Sequence, residues 1–565
     1  MRLCKYLEPC IYDLLHSPIK KIIALSILVV SLVISVWLVT STVVKVKLLP
    51  KPLADNFTIY VDLPEGKSVY ETKEVTSCIL RHLKDEEIIT DMSVFLGEGA
   101  PVDFSAMIKG RVFDTGENIA NIVVNFKRED DRDESSLQAV HRLRPLIQNG
   151  CTMHDVNIKM VELPAGPPTL ASLVLEITSD DKEESMEALA YTIEGMFKKT
   201  DGLVDIDVVN ESSYMQYRIV LEKNKITASH LQLDQVKKIM YLAFEGMDIA
   251  FANDAEAENQ IPIHVTTNKE NKTFQTGSHE HIMIKFAEIT FMNSLGSLVP
   301  LSELVMIKEE RNGHKIISKN LTPIISVVAE TDMESQIYPL LSIRDEIIEN
   351  LAQKYDVEKT DMLDLALTDK KTDEHFKLHW GGELKLSMDT IFDLGTALGA
   401  AIIIIFFMMV VYYKSFSIAG AVVLASFISV GGVIYIHLIW DLFTSEIFYM
   451  TGTSLIGFIA LIGINSRNSL LIIDFATQLI EEKHLNVEKA ISVSVYTRAK
   501  PILLTALATI LASSLLATDP VFGGLGVALI GGTIASYLVS LFIIPIIIHG
   551  SFLKKYSKGK INDSN

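Results

Sequence analysis

The 565-residue sequence predicts an α+β membrane protein: six transmembrane helices, one before and five after a large block of βαβ subdomains. Three observations predict it. Hydrophobic residues make up 49% of the chain and the mean hydropathy is +0.30, yet 21% of residues are charged and the net charge is -19. That mixture requires apolar blocks beside an acidic, water-soluble one. Residues 22–44 form an uncharged run of 23, and about 20 apolar residues suffice to cross a bilayer as a helix. Hydrophobic runs then vanish until about residue 392 and return densely.

The first run, "IIALSILVVSLVISVWLVTSTVV", follows Lys20 and Lys21. It is too long for the core of a signal peptide and ends in no small-residue cleavage site, so it is expected to stay as an anchor. Further spans are expected at 392–413, 417–438, 448–478, 501–518 and 525–549. Lys and Arg collect in residues 1–21, at Lys414, in the 483–500 loop and in the 550–565 tail. The opposite short loops, "DLFTSEIF" and "ATDPVFGG", hold none. This asymmetry puts both termini in the cytoplasm and residues 45–390 outside.

The soluble block alternates strand-like and helix-like stretches. "NFTIYVDLPEG" alternates and ends in a Pro/Gly turn, and Val75, Ile79 and Leu83 follow at helical spacing. "IANIVVNFK", then "SSLQAVHRLRPLIQNG", then "NIKMVEL" read as strand, helix and strand, and the cycle restarts at "LASLVLEIT". Such repeats predict split βαβ modules with helices on one sheet face. From 214 to about 312 the pattern loosens into an inserted subdomain, after which "KNLTPIISVVAETD" and the helix at 338–355 resume the earlier style.

Several chemistries are excluded or weak. An acidic balance offers no basic face for nucleic-acid phosphates. "PEGKS" (64–68) lacks the glycine four residues before Gly-Lys, so no ATP site is expected. His279, Glu280 and His281 could hold a metal, but alternate residues in a polar loop read as solvated, and no metal or other cofactor is expected. The cysteines Cys4, Cys10, Cys78 and Cys151 show no CxxC or zinc spacing. Cys78 and Cys151 are expected as unpaired, partly buried thiols, with a disulfide as the alternative in an extracytoplasmic block. No Ser/His/Asp or Cys/His pattern stands out, so no enzyme is expected.

The membrane section is more informative. In "GINSRNSLLIIDFA" Arg467 interrupts a run that is otherwise lipid-soluble. A charge inside a membrane is costly and is a functional-site hypothesis by default. Asp474 lies two helical turns on, about 10 Å along one face. The bland reading of Arg467 is a structural ion pair between packed helices. The sharp one is a cation answering a buried carboxylate whose protonation drives motion. Asn465, Ser466, Asn468 and Ser469 beside it, with Thr505 and Thr509 on the next span, give it polar company. No Asp or Glu sits at the centre of any expected span, so a carboxylate partner must come from another chain. Gly532, Ser536 and Ser540 form a small-xxx-small ridge on the last span, a docking surface for it.

One span, a large outside block and five spans resemble half of a transporter of the resistance–nodulation–division (RND) superfamily of proton-driven exporters. The motifs "VDLPEGKSVYET", "GEGAPVDF", "MVELPAGPP", "LGSLVPLSEL", "HWGGE", "GINSRNSLLIIDFA" and "TRAKPILLTALATIL" through "DPVFGGLGVALIGG" carry the resemblance from Ile22 to Ile548. They look like the C-terminal half of an AcrB-like, drug-efflux permease of the bacterial inner membrane. The resemblance implies that Arg467 takes the place of the cation on the proton-relay helix, usually lysine or asparagine. Thr505 would match the relay threonine, and Arg498 the arginine at that span's cytoplasmic entrance, with Asn468 and Asp474 beside them. In the family these surround two aspartates of an N-terminal half that these residues do not include, so a separate companion half is implied. Residues 50–162 would be one periplasmic porter subdomain, 163–213 with 313–385 a second, and 214–312 a funnel or docking subdomain. A trimer of paired halves, a periplasmic adaptor and an outer-membrane channel would be the partners, and the proton motive force the energy source. Two alternatives keep the architecture: a non-transporting remnant or assembly subunit, and a protein-export auxiliary of the SecD/SecF type.

Overall fold

Alternating apolar residues build the first sheet of the computed structural model. The structure describes residues 7–562 apart from 48–53, 102–103, 164–168, 180–182, 211–213, 255–256, 258–259, 269–278, 312–314, 333–334, 445–446 and 520. Phe57, Ile59 and Val61 of strand Asn56–Asp62 point to one face and are buried against Val75, Ile79, Leu143 and Ile147. The sheet runs Ile89–Glu98, Thr115–Phe126, Asn56–Asp62, Asn157–Glu162, all antiparallel. Helices Val69–Leu83 and Ser136–Gly150 supply the other half of that core, and each begins with a capping box, Ser68 with Glu71 and Ser135 with Gln138.

Those two helices correct the expectation of free thiols. Cys78 lies in the first helix and Cys151 caps the second, and they form a disulfide with Cα atoms 5.9 Å apart. The residues are 73 positions apart in sequence, and only the packing of the two helices brings them together.

A seven-stranded sheet follows the same logic. Its path is Ser318–Lys319, Thr322–Thr331, Leu173–Ser179, His375–Gly381, Leu365–Asp369 and Tyr355–Lys359, with Leu203–Val209 also on Thr322–Thr331. Helices Glu183–Phe197 and Ile337–Leu351 pack on it around Leu175, Ile193, Phe197, Ile343 and Trp380. Residues 211–315 form a separate unit, with its own core around Phe286, Phe291 and Leu304.

Among the described residues six helices are long and apolar enough to cross a membrane: α1 (Pro18–Thr40), α2 (Glu383–Tyr413), α3 (Phe416–Asp441), α4 (Gly452–Glu481), α5 (Val487–Leu516) and α6 (Gly523–Tyr556). The expected limits shift because charged ends hide helical turns from a hydropathy reading. The segment "ELKLSMDTI" opens α2, and "VEKAISVSVYTRAK" opens α5, which continues through Pro501. Helix α6 is the hub, in contact with α3, α4 and α5. In its most apolar stretch 67% of residues are buried, against 6% in α2.

Candidate functional site

Helix α4 has two polar faces that the sequence reading treated as one. A helix turns 100° per residue, so Asn465, Asn468, Ser469 and Ile472 share one face while Arg467 points elsewhere. Asn465, Ser466, Asn468 and Ser469 are at most 5% exposed, whereas Arg467 is exposed. The inner face is a network that joins three helices. Asn465 Nδ2 donates to Ser426 Oγ of α3 at 3.1 Å, and Ser536 Oγ of α6 donates to Asn465 Oδ1 at 2.9 Å. Asn468 Nδ2 reaches Ser536 Oγ at 3.4 Å, which leaves its Oδ1 without a partner among the described residues. Polar links of this kind hold helices together where lipid supplies no hydrophobic drive.

The same packing corrects the docking ridge. Gly532, Ser536 and Ser540 are buried within this chain. A Cβ added at Gly532 would lie 2.0 Å from Leu461 Cδ1 of α4, so the glycine exists to let α4 approach. Ser540 sits in a π turn, Val539–Ile543. The ridge is consumed internally and is not free for another chain.

The outer face carries the charges. Among the described residues the Arg467 guanidinium makes no hydrogen bond or ion pair. Thr505 is exposed on α5, the helix packed beside α4, and its hydroxyl donates to its own Ile502 carbonyl at 2.9 Å. Arg498 lies over the Phe475 ring of α4, 4.8 Å from its centroid, a cation–π contact. Asp474 does not meet Arg467. It accepts from Tyr413 Oη at 2.8 Å and from Tyr412 Oη at 3.3 Å, both at the end of α2. The structure therefore leaves Arg467 open, holds Asp474 between two tyrosines, and turns Asn468 about a third of a turn away onto the buried face of α4. Tyr412 and Tyr413 escaped the sequence reading, although "VVYYK" places two phenols at a span end.

Beyond the long helices, buried charge joins the two sheets. Arg144 Nη1 meets Asp205 Oδ2 at 2.5 Å, and Asp205 also accepts from Gln148 Nε2 and the Met160 amide. Arg111 grips Asp62 with two nitrogens, at 2.7 and 2.6 Å, and Lys159 bridges Asp62 and Asp207. Burial pushes Asp62 up, but Lys159 and Arg111 outweigh it and hold the carboxyl well below the usual range. A cavity of about 380 Å³ opens on the first sheet's other face, lined by Thr58, Tyr60, Ser93, Phe95, Val161 and Leu163.

His279, Glu280 and His281 open the helix His279–Glu288 with exposed side chains. The close group Cys78, His82 and Cys151 has ligand atoms within 4.8 Å of one another, but both sulfurs are committed to the disulfide.

The family model described as AcrB/AcrD/AcrF matches residues 8–549. The multidrug export protein AcrF of Escherichia coli is 29% identical over 139 residues, 24% of this chain and 13% of that protein. The swarming motility protein SwrC of Bacillus subtilis is 24% identical over 393 residues, 67% of this chain and 33% of that one. The multidrug resistance protein MdtC of Erwinia tasmaniensis is 33% identical over 99 residues, 17% of this chain and 10% of that one. The crystal structure of a heavy metal efflux pump matches 97% of this chain and 51% of its own, with a TM-score of 0.69 at 14% identity. That likeness is one of fold, and the chain spans a third or less of these curated relatives.

Proposed function

The chain belongs to the AcrB/AcrD/AcrF family of multi-pass membrane transporters, and from that premise we propose that it is one half of a proton-driven efflux permease whose proton-binding carboxylates sit on a separate companion half. The observation that carries the reading is Arg467, a cation at the middle of an apolar helix, exposed and without a partner among the described residues. A guanidinium left to lipid is expensive, so a carboxylate from outside the chain is the natural neighbour. Ionised carboxylates attract Arg467, and protonated ones release it. Alternating protonation thereby favours alternate packings of α4 and α5. Thr505 and Arg498 flank that face, and Asn465 and Asn468 fasten its back to α3 and α6 so that the helices move together.

In this reading both termini are cytoplasmic in a bacterial inner membrane, and the two sheet subdomains are periplasmic porter modules. The cavity beside Tyr60 and Phe95 is an apolar surface for cargo. The residues 211–315 unit faces an adaptor or outer-membrane channel in an oligomer of paired halves. The energy source is the proton gradient, without ATP, cofactor or catalysis of a bond change.

Co-purification from native membranes tests the arrangement. A stoichiometric partner with paired acidic residues within a membrane span is expected, and the pair reconstituted together exports solute against a gradient. Export by this chain alone overturns the proposal.

A further inference from the structure

Helix α2 is tied at both ends and largely exposed between them, with Ile405, Phe406, Met409 and Val410 packed near its C-terminal end. At its C-terminal end Tyr413 Oη donates to Asp474 Oδ1 at 2.8 Å and lies 3.5 Å from the Leu470 carbonyl oxygen, while Tyr412 Oη donates to Asp474 Oδ2 at 3.3 Å. Positions 467, 470 and 474 form one stripe of α4, so the tyrosines rest on the face that carries Arg467. At its N-terminal end the Glu383 and Leu384 amides donate to the Ala171 and Ser172 carbonyls at 3.3 Å each, at the edge of strand Leu173–Ser179. The Glu383 carboxylate accepts from Gln336 Nε2 at 2.6 Å, beside helix Ile337–Leu351. Gly382 makes that junction possible. Its φ is +78°, and a Cβ there would lie 2.6 Å from the Ala171 carbonyl oxygen.

We propose that Asp474 is a positioning residue that makes α2 follow α4, so that a shift of the Arg467 face is carried to the seven-stranded sheet. The rod is continuous for 31 residues, about 46 Å at 1.5 Å per residue. With few buried side chains along its apolar stretch, its position is set by its ends. A carboxylate that accepts two phenol hydrogen bonds is a stronger tie than a neutral acceptor, and it engages Tyr412 and Tyr413 together. The inference rests on the relay reading of Arg467 for its purpose, but its geometry stands without it.

Hydrogen exchange of the full chain in lipid nanodiscs tests the tie. Asp474→Asn and Tyr413→Phe are expected to speed exchange of the Glu383 and Leu384 amides about fivefold or more, and Asp474→Glu to restore the parent rate. Faster exchange confined to residues 410–413, with the Glu383 and Leu384 amides unchanged, overturns the proposal. Amides of α6 serve as the folding control. Should Asp474→Asn disturb them, Tyr413→Phe, which removes one hydroxyl, decides the question. An Arg467→Ala variant that still exports removes the relay reading, while the exchange result continues to decide the tie.

Discussion

Removing Arg144 should open the joint between the two sheets. Its side chain is 5% exposed and that of Asp205 1%, with 2.5 Å between Nη1 and Oδ2. Two unit charges at about 4 Å attract by about 4 kcal/mol at an effective dielectric near 20, and stranding one partner of a buried pair costs about 3–5 kcal/mol. Gln148 Nε2 and the Met160 amide still hold Asp205 after Arg144→Ala, which places the expected loss near the lower end, about 3 kcal/mol. The Met160 amide is itself the reporter: its hydrogen-exchange protection should fall about a hundredfold, since every 1.4 kcal/mol is tenfold. Burial pushes the Asp205 carboxyl up even beside Arg144. Without the cation it takes up a proton more readily, so the penalty should shrink as pH falls. Arg144→Ala with Asp205→Ala should cost less than the sum of the two single changes. A loss of protection under about threefold, or strict additivity, would refute a desolvated ion pair here.

Other outcomes follow from packing and caps. Replacing Cys78 and Cys151 by serine releases a 73-residue closure, a loss of about 4 kcal/mol on the chain-entropy account, readable as a lower denaturant midpoint. Gly432→Ala sets a Cβ 2.3 Å from Ala535 Cβ and 2.9 Å from the Gly531 carbonyl oxygen, so overpacking should cost about 1–3 kcal/mol and lower the unfolding temperature of the solubilised chain. The Ser68 backbone N–H, with Lys67, holds the Glu71 carboxyl at about 2, below its ordinary 4.5. A lowered native pKa stabilises above the ordinary value and is lost on acidification. The advantage of the parent over Glu71→Gln, followed by circular dichroism, should therefore fade between pH 4.5 and 2.

The six long helices were legible because apolar runs of that length have few other uses, as "AIIIIFFMMVVYY" in α2 illustrates. Their ends were less so: Glu383, Lys385 and Asp389 depress hydropathy while continuing the helix, and the loops at 482–486 give no strong stop. Arg467 was legible as a charge in the wrong solvent. That Asn465 and Asn468 turn away from it was also available from the 100° step, but adjacency in sequence looks like adjacency in space until the angle is counted. The Tyr413–Asp474 contact and the Cys78–Cys151 disulfide were not legible. Each joins residues more than 60 positions apart, and no local pattern records which helices lie side by side. The small-residue ridge on α6 shows a further limit: Gly532 signals a close neighbour, and whether that neighbour is internal is a matter of topology.

The central claim is that Arg467 answers a carboxylate brought by a companion. Its most direct test is substrate-driven proton release from everted membrane vesicles that hold this chain and its co-purifying partner, compared for Arg467→Ala and Arg467→Lys at matched membrane levels. The account expects background release for the alanine variant and substantial retention for lysine. Release at the parent rate from the alanine variant would contradict it.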